Sequence, residues 1–341
     1  MQVSFKKFTD WKKKSKAWKN EFLSRRPHRS FQLTRRRDFA RTLELPGYIA
    51  FTHYVNKTVW SNRKLLFGLA IIYLVLFAVL IGIGSQDTYT ILTGSLKEAA
   101  VDITGGDLSQ VGLAWMLFFT IATVGISDSP TESQQIYIAL LGLMIWLTTV
   151  WLLRNRLAGH KVRLRDGLYN AGAPIIPLFL VTLVLIVQLI PILIVAIGYQ
   201  AATASGLLNG GVEAMLFWMA AALLALLSFF WATGTFFAMV VATLPGMYPI
   251  KALRNAGDLV LGRRVRILLR WAWMFFVLAL TWTIVLIPLI LIDQFFKGVW
   301  PILENVPLIP VILALLSAVS TIWLSSYVYL LYRKVVDGST K

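Results

Sequence analysis

Six stretches of this chain contain no Asp, Glu, Lys, Arg or His over roughly 20 residues or more: 65–84, 135–153, 174–198, 214–244, 271–292 and 307–332. At 1.5 Å of rise per helical residue, each is long enough to cross a hydrocarbon layer about 30 Å thick. Only helices or closed barrels leave no backbone group unpaired in lipid, and uncharged runs of this length read as helices. Composition agrees: 57% of the 341 residues are hydrophobic and 14% charged, against about 25% charged in a soluble domain. A soluble enzyme, a disordered chain and a disulfide scaffold are excluded. With no Cys, thiol catalysis and cysteine metal sites are excluded too. The expected fold is all-α, a polytopic membrane bundle of six transmembrane helices.

A seventh uncharged run, 111–126, is short for a span, and charge placement decides its role. Basic residues near spans collect on the cytoplasmic side. If 111–126 does not cross, all but Lys97 and Lys297 of the 33 Lys and Arg share one side. If it crosses, the basic residues divide almost evenly. The reading is therefore six spans, both termini cytoplasmic, and 111–126 as a re-entrant or interfacial helix in an acidic, polar external loop. The first 64 residues are polar and basic and do not resemble a signal peptide, so the first apolar run is expected to be an internal anchor in the plasma membrane.

Motifs recur along the chain. With Tyr48 set on Tyr248, Arg63 and Lys64 fall on Arg263 and Arg264; LYNAG at 168–172 echoes LRNAG at 253–257; LIPILI at 189–194 echoes LIPLILI at 286–292. These suggest three hairpin units, 46–153, 154–244 and 245–332, each a cytoplasmic amphipathic helix, a span, an external loop and a returning span. Residues 333–341 form a cytoplasmic tail. In the third unit, helical spacing puts Ile250, Leu253, Gly257, Val260 and Leu261 on one face and Lys251, Arg254 and Asp258 on another. Gly234, Ala238 and Ala242 form a small-residue stripe that admits a close neighbour.

Residues 1–45 carry 14 Lys or Arg. Phe5, Phe8, Trp11, Trp18 and Phe22 share a helical face, with cations mostly opposite. This is the make-up of an interfacial helix, and Trp11, Trp18, Lys12, Lys13, Lys14, Lys16, Lys19, Arg25, Arg26, Arg35, Arg36 and Arg37 are the expected membrane-surface residues. The bilayer and its anionic headgroups are the preferred partner. A protein at the cytoplasmic face comes second, and nucleic acid is disfavoured.

Catalytic chemistry is poorly represented. His28, His53 and His160 lie far apart, and no nucleophile elbow, metalloprotease or nucleotide-binding motif occurs. Neither cofactor nor metal is expected. Ion-coupled transport needs an ionisable group in a span, and the six runs have none. Gln188, with Pro191 and Pro288 inside spans, marks a possible intramembrane cavity. The reading is a non-enzymatic membrane protein that organises the membrane or scaffolds a partner at the cytoplasmic face. The alternatives are a transporter or lipid-handling protein using that cavity, and an enzyme using external carboxylates (Asp102, Asp107, Asp128, Glu132, Glu213, Asp293, Glu304).

Two stretches, WLLRNRLAGHKVRLRDGL (151–168) and VVATLPGMYPIKALRNAGDLVLGRR (240–264), make residues 150–332 resemble a group of bacterial six-span inner-membrane proteins. That group includes the membrane domain found beside glycerophosphodiester phosphodiesterases. The resemblance implies a shared six-span fold. It carries no activity over, because catalysis in those relatives belongs to a soluble barrel with a His-Arg-Gly opening. The nearest string here is His28-Arg29-Ser30.

Overall fold

The computed structural model describes residues 45–81, 132–299 and 308–337. They form nine α-helices and one 3₁₀ turn, with no strand among the described residues. The helices are α1 (Tyr48–Ser61), α2 (Arg63–Leu80), α3 (Glu132–Leu157), α4 (Leu164–Asn170), α5 (Ile175–Ala204), α6 (Gly211–Val241), α7 (Pro249–Val260), α8 (Arg264–Val299) and α9 (Leu308–Asp337). Six of them (α2, α3, α5, α6, α8 and α9) are long and apolar enough to cross a bilayer. This is a multi-pass, all-α membrane bundle. Three times the chain runs short helix, long helix, long helix. The 111–126 segment and the basic stretch 1–44 lie outside the described residues.

The three short helices and the linked ends of the spans gather at one end. Gly68 of α2 lies against Leu164 of α4, and Gly167 of α4 sits so close to Leu152 of α3 that a Cβ would come 2.7 Å from its Cδ2. Every Arg among the described residues, and every Lys except Lys297, belongs to this basic end. At the opposite end Gln134 donates from Nε2 to the Ile81 carbonyl at 2.8 Å, so α2 and α3 meet there as well.

Turn chemistry at the basic end follows from two glycines. Gly159 ends α3 at φ 86°, with its N–H on the Arg156 carbonyl and the His160 N–H on the Asn155 carbonyl, both at 3.0 Å. This paired closure needs a left-handed residue. Gly262, at φ 75°, follows Leu261 at φ −58°, ψ 128°; the Arg263 N–H closes on Val260 at 3.0 Å. That is a type II turn, which requires Gly at its third position.

The last helix is the axis of the bundle. α9 packs against α1, α2, α3, α6 and α8, and every residue from Ser325 to Leu331 is buried. A helix buried around its circumference has neighbours on all sides. α9 packs more extensively on α2 and α3 than on α8, its partner in the expected third hairpin. Some buried polar side chains pair across helices: Trp282 Nε1 of α8 donates to Ser320 Oγ of α9 at 2.8 Å, and the Tyr73 and Thr148 hydroxyls of α2 and α3 meet at 3.2 Å. Buried serines such as Ser325 and Ser326 donate to carbonyls four residues earlier. By contrast, only 11% of the most apolar stretch of α5, and 11% of that of α6, is buried. Apolar side chains facing lipid tails cost nothing there.

The small-residue stripe behaves as read. Ala238 of α6, Ala242 just past its end, and Ala252 and Ala256 of α7 are all essentially inaccessible, and α6 and α7 pack extensively. A Cβ on Gly234 would reach the Gly257 Cα at 4.0 Å. The expected apolar face of α7 needs correction, however. Its buried side is Ala252, Ala256 and Val260, while Ile250 is 74% exposed. Close approach to α6 selects small residues, and Ile250 is turned away. The echoed motifs also differ in place: LYNAG finishes α4, whereas LRNAG lies inside α7. Ala171 and Ala256 are both buried nonetheless.

Candidate functional site

Span boundaries drawn at the first charge were too short, and the difference exposes the bundle's chemically distinctive feature. Arg154, Arg270 and Asp293 each stand one residue beyond an uncharged run, yet α3 and α8 continue through them. Arg270 and Asp293 are only 6% and 4% exposed. Charged groups in such places face the bundle interior and need partners there.

Arg154 lies in the last turn of α3, where the ends of α3, α6 and α9 converge. The final carbonyls of a helix have no intrahelical donor. Arg154 Nη2 reaches just past the end of α6, donating to the Thr243 carbonyl at 2.8 Å and to its hydroxyl at 2.7 Å. Thr243 Oγ1 in turn donates to the Val240 carbonyl at 2.7 Å. Arg154 Nε is buried with no hydrogen-bond partner. Beside it is a cavity of about 190 Å³ lined by Arg154, Arg333, Tyr329, Tyr332, Thr243 and Asp337, with Val240, Leu244 and Val336 as its apolar wall.

Arg270, in the second turn of α8, makes a different kind of contact. Its Nη2 donates to the Pro46 carbonyl, and its guanidinium lies 5.1 Å from the Tyr48 ring centroid and 5.4 Å from that of Phe51. Phe51 meets Tyr327 edge-on at 4.9 Å. Two indoles complete the seat of α1: Trp273 Nε1 donates to Thr52 Oγ1 at 3.0 Å and Trp323 Nε1 to Asn56 Oδ1 at 2.7 Å. Lys334 of α9 lies over the Tyr54 ring at 5.5 Å. The aromatic and amide side chains of α1 thus fasten it to α8 and α9. Both arginines donate to a backbone carbonyl outside their own helix.

The residues expected to mark an intramembrane cavity are not brought together. Gln188 of α5 accepts from Thr235 Oγ1 of α6 at 2.6 Å. Pro191 is half-buried and Pro288 is exposed, and α5 shares no extensive packing with α8. A single interhelical hydrogen bond of this kind contributes about 0.6 kcal/mol. Thr235→Val should therefore lower stability only by about that amount, and Gln188→Leu in the Thr235→Val background should add little, as read from a double-mutant cycle of thermal unfolding in detergent. A coupling above about 2 kcal/mol would show that Gln188 does more than join two helices.

Of the expected membrane-surface residues, Lys12 through Arg37 with Trp11 and Trp18 lie outside the described residues. Among the carboxylates expected on the external side, Glu132 and Glu213 are exposed and Asp293 is buried; the other four lie outside the described residues. Among the described residues no three His, Asp or Glu could hold a metal ion together. The sequence reading missed Arg154 and Arg270. Their available signal was an arginine set directly between Leu and Asn, or Leu and Trp, at the edge of an apolar run. Comparison with protein-family models, curated proteins and solved structures finds no match.

Proposed function

We propose that this protein is a non-enzymatic membrane organiser that holds anionic lipid at a cytoplasmic basic face and offers that face to a partner. The observation that carries the reading is the arrangement of the three short helices at the basic end. Each turns one side into the bundle: Phe51, Val55 and Thr58 in α1, Gly167 in α4, Ala252, Ala256 and Val260 in α7. Each leaves cations exposed: Lys57, Arg165, and Lys251 with Arg254. The α3–α4 turn adds exposed Arg156, Lys161 and Arg163. Basic residues at this level attract anionic headgroups by about 1 kcal/mol each, an attraction that salt screens. Orientation toward the cytoplasm follows from the bias of Lys and Arg to that side, and a plasma-membrane location is part of the same proposal. The resemblance to the six-span inner-membrane group fits this setting and adds no activity to it.

The test is to extract the full chain into native lipid discs and weigh the lipids retained. Enrichment of anionic lipid over the bulk membrane is expected. It should fall severalfold when Lys161, Arg163 and Arg165 are all changed to Gln, and further when Lys12, Lys13, Lys14 and Lys16 are changed as well. Lipid composition equal to bulk in every form, with a soluble small molecule transported by the same protein in vesicles, would replace this reading with a transporter.

A further inference from the structure

We infer that the cavity where α3, α6 and α9 end is a binding site for the phosphate group of an anionic phospholipid or a free phosphate ester. The inference deepens the lipid-organising reading and rests on it for the setting, but on separate residues for the site.

Two guanidiniums from different helices, Arg154 and Arg333, line one cavity together with the phenols of Tyr329 and Tyr332. Planar guanidinium forks match the tetrahedral oxygens of phosphate, and phenol O–H groups supply further donors. Arg154 is held in place before any ligand arrives, because its Nη2 is bonded twice to Thr243. Its Nε is buried without an acceptor, so an anion in the adjoining cavity would offset the cost of holding this guanidinium away from water. Preorganisation of this kind removes much of the ordering cost of binding.

Size and setting agree. At about 190 Å³ the cavity is several times the ~30 Å³ share of a liquid water molecule, room for a phosphate and a few attached atoms. Its wall of Val240, Leu244 and Val336 suits the glycerol carbons of a lipid. Its position at the basic end of three spans is where headgroup phosphates would lie. Two negative features bound the ligand's charge. The Thr243 carbonyl is covered by Arg154, but Asp337, exposed at the rim, disfavours a multiply charged anion. The site should therefore prefer a singly charged phosphodiester, such as phosphatidylglycerol, to inorganic phosphate.

Native mass spectrometry of the full chain in detergent, after delipidation and addition of phosphatidylglycerol, tests this. One tightly held lipid per chain is expected. Arg333→Gln should weaken it roughly tenfold, the loss of one charged hydrogen bond. Tyr332→Phe, which keeps the ring, should weaken it less, and Asp337→Asn should strengthen it. The Lys161, Arg163 and Arg165 triple Gln variant should keep the tight lipid while losing loosely bound anionic lipid. Displacement by millimolar glycerol phosphate would identify the free ester as the ligand, and resistance to it would identify the lipid.

Full retention in both Arg333→Gln and Tyr332→Phe would overturn the site. So would loss in the surface triple variant equal to that in Arg333→Gln. If the cavity variants retain the lipid while the surface variants lose enrichment, the site falls and the lipid-organising function stands. If the cavity variants alone lose lipid and no enrichment exists, the function falls and the site stands.

Discussion

Arg270→Met is expected to destabilise the bundle by about 2–4 kcal/mol, making it one of the two most damaging single changes. Two opposing effects set that figure. The variant loses two aromatic contacts, with Tyr48 and Phe51, worth about 1–2 kcal/mol each when desolvated. It also leaves the Pro46 carbonyl without its donor, a further ~1–3 kcal/mol if no water replaces it. Against this, methionine relieves the cost of burying a guanidinium whose Nη1 has no hydrogen-bond partner, and buried charges replaced by apolar groups sometimes stabilise. The losses should win, because the guanidinium serves both α1's start and its rings. Arg270→Lys should not rescue the loss, since a compact ammonium lacks the planar fork that bonds Pro46 while stacking on rings. Thermal unfolding in detergent followed by tryptophan emission would show it as a midpoint drop of roughly 3–6 °C. A methionine variant more stable than the parent would mean that Arg270 is kept for binding rather than for stability.

Ala256→Leu should be as damaging for the opposite reason, too much volume. Ala256 is fully buried in α7, the helix that packs on the small residues of α6. Three added carbons have nowhere to go without driving α7 away, and overpacking of this kind costs about 1–3 kcal/mol or more. In a bilayer no hydrophobic gain offsets the strain, since lipid is as apolar as the new side chain. Released from α6, α7 should become sensitive to trypsin at Lys251 and Arg254, both already exposed. Gly234→Ala is the matched comparison. Its added carbon meets the nearest atom at ordinary contact distance, 4.0 Å, so it should change stability by less than about 0.5 kcal/mol. Equal trypsin resistance in Ala256→Leu and the parent would show that α7 does not depend on this contact.

The spans were legible because a hydrocarbon layer demands length and an absence of charge, and both survive in a bare sequence. Their ends were less so. A run stops being apolar at Arg154 and Arg270, but a helix stops only where its backbone hydrogen bonds do. Carbonyls far away in the chain, Thr243 and Pro46, allow both helices to keep going, with Arg154 half-buried and Arg270 buried. The fault at Ile250 has the same origin. Helical spacing finds the face with the most oil, whereas α7 is seated by the face with the least bulk. The Gly234 stripe was readable because smallness is a property of single residues. The Arg154–Arg333 cavity was not, because it joins helices almost 180 positions apart, and no spacing rule connects them.

The hydrogen bond from Gln134 to Ile81 reduces the protein's orientation to a single binary variable. With α2 and α3 joined at one end and bridged through α4 at the other, the side occupied by α1 determines the side of α4. The α5–α6 hairpin then carries the same assignment on to α7. One reporter therefore answers for all three short helices, whatever path residues 82–131 take. A chain with no native thiol is well suited to this, because one introduced cysteine is read without background. Gly159 is a poor place for it, since its positive φ would strain any side chain. Its exposed neighbour His160, with Ser205 at the opposite end, would carry that one bit without disturbing the turn.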